Sequence, residues 1–428
     1  MINKILNTFI VKIITAVLSF LIAVVISQYL GAEGKGEQGI IITTIALIIL
    51  VCNIFGGAAL SYLVPRTDTS LILLPSYLWI ILINTVFYFL MRVLNFTEVK
   101  YVLDIAVISA ISSVASVHQN IILAKEKIKQ YNFLQFMQTF VIIASLMVFF
   151  VVLNKKDINS YLISLYISFI LSLILSSVFI SDTLKKFRFH KLPSYYPVIF
   201  KLFKYGFLNQ FAYILQVLSF RISYYLLNYY TGKSNVGIYS NGAAIIESIW
   251  IISGSITVVQ FAKIVNTSDD KYSQDITVKL AKLGFTTAFI ALIPMLLLPA
   301  TFYSYVFGKE FGDIRLVMLS LAPGILFFNY HLVISHYFSG TGKYFINAIV
   351  TFTGLIINIL LSIFLIKYFE IVGAGVAASI SYIFCSMLIV YFFTREGKYK
   401  ATALLPNYSD IKGYIGYLKV FLTRKKTN

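Results

Sequence analysis

Along this chain, apolar runs of about 20 residues alternate with short polar connections, and no run alternates with a period of two. Twelve runs stand out, at roughly 5–30, 38–64, 70–91, 101–124, 132–153, 159–182, 205–230, 236–262, 280–301, 314–340, 344–366 and 371–393. A run of that length, rising about 1.5 Å per residue, crosses the hydrocarbon core of a bilayer as a helix. Lipid leaves backbone groups no partner but their own segment, so only helices or closed barrels span it. Unbroken runs exclude the barrel. The expected fold class is therefore an all-α integral membrane protein with twelve transmembrane helices.

The longest polar connection on the expected inner side is Ser181–Lys204, SDTLKKFRFHKLPSYYPVIFKLFK, basic and aromatic. It divides the pattern into an N-terminal lobe (1–182, six spans), a linker (183–204), a C-terminal lobe (205–394, six spans) and a tail (395–428). The linker suits the anionic inner leaflet. In the tail, Asp410 is a helix cap, and Ile411, Ile415, Leu418 and Leu422 recur at helical spacing, which predicts an interfacial amphipathic helix. The two halves echo each other weakly. Tyr29–Gly39 reads YLGAEGKGEQG and Tyr230–Tyr239 reads YTGKSNVGIY, each before an apolar span. Both are expected as tight glycine-bearing reversals, and a parallel repeat of this kind is a transporter feature.

Composition agrees: 59% of residues are hydrophobic, only 12% are charged, and mean hydropathy is +0.85. The net charge of +18 would suggest nucleic acid in a soluble protein. Here topology accounts for it, and no nucleic-acid partner is expected. With Met1 inside, 24 basic residues fall in inner segments and 9 in outer ones. The positive-inside rule then places both termini in the cytoplasm. The opening stretch lacks a small-residue cleavage site after a short apolar core, so the first helix is expected to stay uncleaved. Cys52 and Cys385 sit in apolar runs and imply neither a disulfide nor a metal, and no cofactor is expected.

Charge inside the apolar runs is where chemistry is expected. Arg221 lies within span seven, at a cost of roughly 2.5–3.5 kcal/mol on insertion scales. Counted from Lys233 across a tight reversal, Glu247 on span eight comes within about 3 Å of Arg221 in depth. A structural ion pair and a charged pair lining a transport cavity both fit that placement. Lys12, Asn53, Arg66, Asn209, Gln210, Gln216, Asn329 and His331 also need partners inside spans. Spans one, two, seven and eight hold equivalent places in the two halves, and their cations suit a phosphate. The amides suit a sugar. His118 and His336 read as packing residues. Glu33 and Glu37 flank Lys35 in the first outer connection, and a glycosyltransferase would need acids near there, but a solvated turn explains them as well.

LGAEGKGEQG after span one, VGIYSNGAAIIESIW around span eight and INAIVTFTGLIINILLSIFLIKYFEIVGAGVAASIS over spans eleven and twelve resemble the polysaccharide transporters. These are O-antigen and capsule repeat-unit flippases (Wzx-type) of the multidrug/oligosaccharidyl-lipid/polysaccharide exporter superfamily. The resemblance covers all twelve spans, and its most specific piece is Asn347, Asn358 and the small-residue run Gly373–Ala378. It implies two six-helix bundles around a V-shaped cavity with alternating access. The implied cargo is an undecaprenyl-pyrophosphate-linked oligosaccharide, moved outward across a bacterial inner membrane. Arg221, Lys12 and Arg66 would then hold pyrophosphate. Asn209, Gln210, Gln216, Asn329 and His331 would meet sugar, and Glu247 would pair with Arg221 or couple an ion. Relatives often carry an aspartate near the place of Ser223, which is absent here. Membrane lipids, the lipid-linked cargo and a polysaccharide polymerase are the expected partners of a monomer. A multidrug exporter of the same superfamily and a membrane glycosyltransferase are the alternatives.

Overall fold

The computed structural model describes residues 2–94, 98–267, 269–397, 399–407 and 410, with the side chains of 2–7, 9, 58, 208, 209 and 262 set aside. The tail helix expected from Asp410 onward therefore lies, beyond that residue, outside the described residues, as does the Asn209 side chain. Among the described residues the chain is helical with no strand. In order the helices are α1 (Ile2–Cys52), α2 (Gly57–Leu63), α3 (Thr69–Leu94), α4 (Val102–Ala124), α5 (Ile128–Met147), α6 (Ile158–Phe179) and α7 (Ser181–Lys185). There follow α8 (Tyr196–Thr231), α9 (Lys233–Glu247), α10 (Trp250–Val265), α11 (Asp270–Leu297), α12 (Ala300–Phe307), α13 (Ile314–Gly340) and α14 (Tyr344–Gly397).

Eight of the described helices are long and apolar enough to cross a membrane, and α9 with α10, bent by 43°, would add a ninth. This is a multi-pass membrane protein. Helices α1 and α14 run to 51 and 54 residues. At about 1.5 Å per residue each is roughly 80 Å long, far more than one hydrocarbon core of ~30 Å. Each is broken at one residue, Gly31 (φ 69°) and Glu370 (φ 46°).

The break at Gly31 corrects the expected loop over Tyr29–Gly39. The chain is helical on both sides of Gly31, and the second arm restarts at Ala32. Its exposed first N–H groups need acceptors, and the Glu310 carboxylate takes the Ala32 N–H at 2.6 Å. Gln28 on the first arm donates to the Val306 carbonyl at 2.7 Å. Segment 303–312 thus plugs the break, which a reading of local sequence could not anticipate.

Contacts divide the chain into two units, Met1–Ser240 with Tyr303–Gly312, and Asn241–Phe302 with Asp313–Asn428. In the first, lipid supplies no hydrophobic drive between helices, so small residues and buried hydrogen bonds do the packing. Helix α6 buries Ser160, Ser164, Ser168, Ser172 and Ser176, one every fourth residue. Gln119 of α4 donates to Ser172 at 3.1 Å, and Gln135 of α5 donates to Gln119 at 2.8 Å. His118 bridges Tyr77 of α3 (2.6 Å) and Ser176 of α6 (3.3 Å), so the packing role expected for it holds.

The second unit is built on the same logic. Gly324 of α13 donates its N–H to Ser379 of α14 at 2.6 Å, and a Cβ there would strike the Ser379 backbone. Gly375 meets Ser320 equally closely, while Ala374, Ala377 and Ala378 are fully buried. The run Gly373–Ala378 is therefore a packing stripe between α13 and α14. Asn358 is buried and accepts from Ser362 at 3.1 Å.

Candidate functional site

Helix α8 carries four of the residues singled out in the sequence. Pro197 sits in its first turn, where a missing N–H costs nothing, and Gly232 (φ 90°) ends it. Midway, Gly206 lies so close to the Ile54 carbonyl that no Cβ fits. At about 100° per residue, Gln210 and Arg221 share one face, roughly 20° apart, while Asn209 and Gln216 share another. The four therefore line two faces and do not form one cluster. Gln210 and Gln216 are half-buried.

Arg221 is half-buried, with its guanidinium 5.3 Å from the Tyr224 ring centroid and donating to the Tyr224 hydroxyl at 3.2 Å. Tyr224 is itself buried and stands edge-on to Tyr239 at 5.8 Å. Ser219 and Ser223 are buried one helical turn apart, and the Ser223 hydroxyl has no hydrogen-bond partner. Tyr225 shares a 2.8 Å hydroxyl contact with Thr44 of α1. The cation thus lies against an aromatic ring on its own helix, which helps fix its direction.

The other two cations lie elsewhere in the same unit. Lys12 is exposed on the first arm of α1. Arg66 follows α2, donates to the Tyr62 carbonyl at 2.8 Å and stacks 4.3 Å over the Tyr62 ring, which in turn meets Tyr205 at 4.4 Å. Counting back from the breaks at Gly31 and Gly232, Lys12 lies about 12 Å deeper than Arg221. Arg66 lies at the far end of α2. These are three separate cations.

Asn329 and His331 belong to the interior of the second unit. Asn329 accepts from Ser253 and donates to the carbonyls of Ile325 (2.9 Å) and Leu326 (3.0 Å), so its hydrogen-bonding capacity is used in packing. His331 is buried flat against Phe328, with ring centroids 4.5 Å apart. Glu247 is half-buried and ends α9 at the bend into α10. It belongs to the second unit and Arg221 to the first.

The sequence reading missed an ion cluster in the first unit. Lys233 reaches both Glu37 (3.0 Å) and Glu98, and Lys100 pairs with Glu98 at 2.8 Å. Hydrogen bonds from Lys100 and then Lys233 hold the Glu98 carboxyl below the usual carboxylate range. Glu37 read as a solvated turn residue because its connection looked like a loop; once that stretch is helical, Glu37 faces Lys233. Lys35 is buried beside it and donates to Gln38 at 2.7 Å, which donates to Tyr161 at 3.1 Å. Among the described residues no group of three or more His, Cys, Asp or Glu is placed to hold a metal.

Residues 1–262 match the family described as polysaccharide biosynthesis protein. A capsular polysaccharide biosynthesis protein of Staphylococcus aureus, CapF, is 26% identical over 167 residues, which is 38% of this chain and 42% of that protein. The chain thus spans less than half the length of that relative. Among solved structures, lipid II flippase MurJ in an inward closed conformation is similar with a TM-score of 0.77 at 15% identity, over 99% of this chain and 93% of that one. An inward-facing multidrug resistance MATE family transporter of the MOP superfamily gives 0.69 at 13% identity, over 91% and 95%. At these identities the likeness establishes the fold, that of a flippase and a transporter.

Proposed function

Because the chain belongs to the polysaccharide biosynthesis protein family, we propose that it moves lipid-linked oligosaccharide repeat units across a bacterial inner membrane. The cargo is an undecaprenyl-pyrophosphate-linked oligosaccharide, carried from the inner to the outer leaflet for a surface polymer. Counting α1 and α14 as two crossings each, the bent pair α9–α10 as one and α8 as one gives twelve crossings, in two six-helix bundles with both termini inside. Alternating access of the two bundles around a V-shaped cavity is part of the same proposal, as are a monomeric state and contact with a polymerase.

The observation that supports the reading is that Arg221, Lys12 and Arg66 lie at three separate places in one unit, on α8, on the first arm of α1 and after α2. A pyrophosphate crossing a bilayer needs successive cations rather than one deep well, since a site that binds too tightly at one depth would stall transport. Tyrosine rings lie under the guanidinium groups of Arg221 and Arg66. Gln210 shares the face of Arg221 and is assigned to sugar, with Asn209 and Gln216 on the second face. Asn329 and His331, packed inside the second unit, are assigned a supporting role. Glu247 is assigned as the counter-charge of Arg221 when cargo is absent.

A multidrug exporter of this fold would favour an apolar cavity with an isolated acid, and the cations favour an anionic cargo instead. The glycosyltransferase alternative is disfavoured, since the fold is shared with a flippase and a transporter and not with an enzyme among these relatives. The test is a reconstituted flipping assay. Proteoliposomes holding a fluorescent undecaprenyl-pyrophosphate oligosaccharide should expose it to a membrane-impermeant quencher faster than protein-free vesicles. Equal rates would overturn the reading.

A further inference from the structure

Two apolar chambers lie in series along the seam between α3 and α8, inside the first unit. The chamber beside the basic linker is an open groove of about 520 Å³, lined by Pro75, Trp79 and Leu82 of α3 and by Ile199, Phe200 and Phe203 of α8, of which Leu82, Ile199, Phe200 and Phe203 are exposed. The second encloses about 240 Å³, between Phe87 and Met91 of α3, Leu47 of α1, and Ile214, Leu218 and Tyr225 of α8. Between them, Gly206 draws α8 against the Ile54 carbonyl. The rings of Phe203, Phe207 and Phe211 stack at 5.0 and 5.1 Å along α8 over the interval between the two chambers. A rigid wall stands opposite, where Phe55 stacks on Trp79 at 4.6 Å.

We propose that this seam holds the polyprenyl chain of the lipid-linked cargo while its headgroup is moved, a reading that rests on the flippase function proposed above. Three arguments select that occupant. Length is the first. The lining of α8 runs from Tyr196 to Tyr225, about 44 Å at 1.5 Å per residue, longer than a hydrocarbon core of ~30 Å. A phospholipid acyl chain reaches across one leaflet, about half that core, and so fills one chamber at most. A polyprenyl chain is long enough to occupy both.

Shape is the second argument. Ligand cavities of about 300–1,000 Å³ are lined mainly by apolar and aromatic side chains, and flat, methyl-branched alkene units lie against fixed rings better than a saturated chain does. Charge is the third. Exposed Lys201 and Lys204 lie on the same turns of α8 as the lining residues Ile199, Phe200 and Phe203. An apolar groove on a helix that also carries cations is complementary to an apolar chain with an anionic head.

The test uses the full chain in phosphatidylethanolamine–phosphatidylglycerol vesicles containing radiolabelled undecaprenyl pyrophosphate. A benzophenone amino acid replaces Leu82, Leu218 or, as a lipid-facing control, exposed Ile290 of α11. Positions 82 and 218 should both label the polyprenyl probe at least tenfold above 290. Labelling equal to the control, or phospholipid adducts alone, overturns the seam. In parallel, Leu218→Trp should weaken binding of undecaprenyl pyrophosphate about tenfold and leave farnesyl pyrophosphate, which is short enough for the chamber beside the linker alone, within twofold. Unchanged undecaprenyl binding in the filled variant overturns the seam while leaving the flippase reading intact. Failure of the unmodified protein to bind undecaprenyl pyrophosphate at all overturns both.

Discussion

Gly36 and Gly237 meet backbone to backbone. A side-chain carbon on Gly36 would strike the Lys233 carbonyl, and one on Gly237 would strike that of Ala32. These glycines come from the two stretches that looked alike in the sequence, and they pack the second arm of α1 against the start of α9. Gly36→Val or Gly237→Val should overpack this crossing and destabilise the protein by about 1–3 kcal/mol. Gly254→Ala, which opens onto free space, should be neutral or slightly stabilising. Thermal unfolding in detergent reads both. Equal midpoints for Gly36→Val and the parent would mean the crossing is loose.

Glu310 caps the second arm of α1 from nearly 280 residues away in sequence. Loss of a helix cap costs roughly 0.5–2 kcal/mol, so Glu310→Ala should lower the unfolding midpoint. Glu310→Gln, which keeps an acceptor, should recover part of it. An Ala variant as stable as the parent would show that water serves the Ala32 N–H equally well.

Both features show what a sequence can and cannot carry. The helix expected at 101–124 is found at Val102–Ala124, and that expected at 314–340 at Ile314–Gly340. There an apolar run ends at clear turns and nothing competes. The stretch 29–39 misled because glycine and charge mark loops, whereas here Gly36 serves close packing, Glu37 pairs with Lys233 from a distant segment and Lys35 is buried on Gln38. The placement of Arg221 on a spanning helix was legible, and Tyr224 three residues on was available as its ring partner. That Asn329 spends its amide on Ser253, Ile325 and Leu326 depends on how α10 meets α13, which no local pattern states.

The ion cluster gives a pH signature. Glu98 is held below its ordinary carboxylate range, chiefly by Lys100 and then Lys233. A depressed carboxyl stabilises above its unfolded value of about 4.3 and loses that contribution as pH falls through the lower folded value. Between about pH 3 and 6, Lys233→Gln should therefore flatten the acid limb of the unfolding midpoint while changing little at still lower pH. A parallel downward shift at every pH would assign Lys233 a packing role instead. The cluster is partly exposed, so the slope is the informative quantity.

Orientation is testable with the native cysteines in place, because Cys52 and Cys385 are buried. Cysteines introduced at Lys309 and Lys186, both exposed, should differ. An impermeant maleimide added to intact cells should label position 309 and not 186, as the excess of inner basic residues requires. Labelling of 186 from outside would reverse the proposed direction of transport.

Arg221 decides whether the central cation is scaffolding or machinery. If it serves only Glu247, removing either partner strands a half-buried charge and should lower stability, and Arg221→Gln with Glu247→Gln should restore folding and transport together. If Arg221 also meets pyrophosphate, the double variant should insert at normal abundance and yet fail to display the surface polymer. Tyr224→Phe keeps the ring beneath the guanidinium and removes the 3.2 Å hydrogen bond. It should therefore cost less than tenfold in transport, since one net hydrogen bond is worth about 0.5–1.5 kcal/mol. Arg221→Lys keeps the charge and loses the two-pronged geometry that suits phosphate, so transport should fall without vanishing. Each variant needs two readouts, membrane abundance and polymer display. Full display at full abundance in the double variant would move the pyrophosphate site to Lys12 and Arg66, where the next substitutions belong.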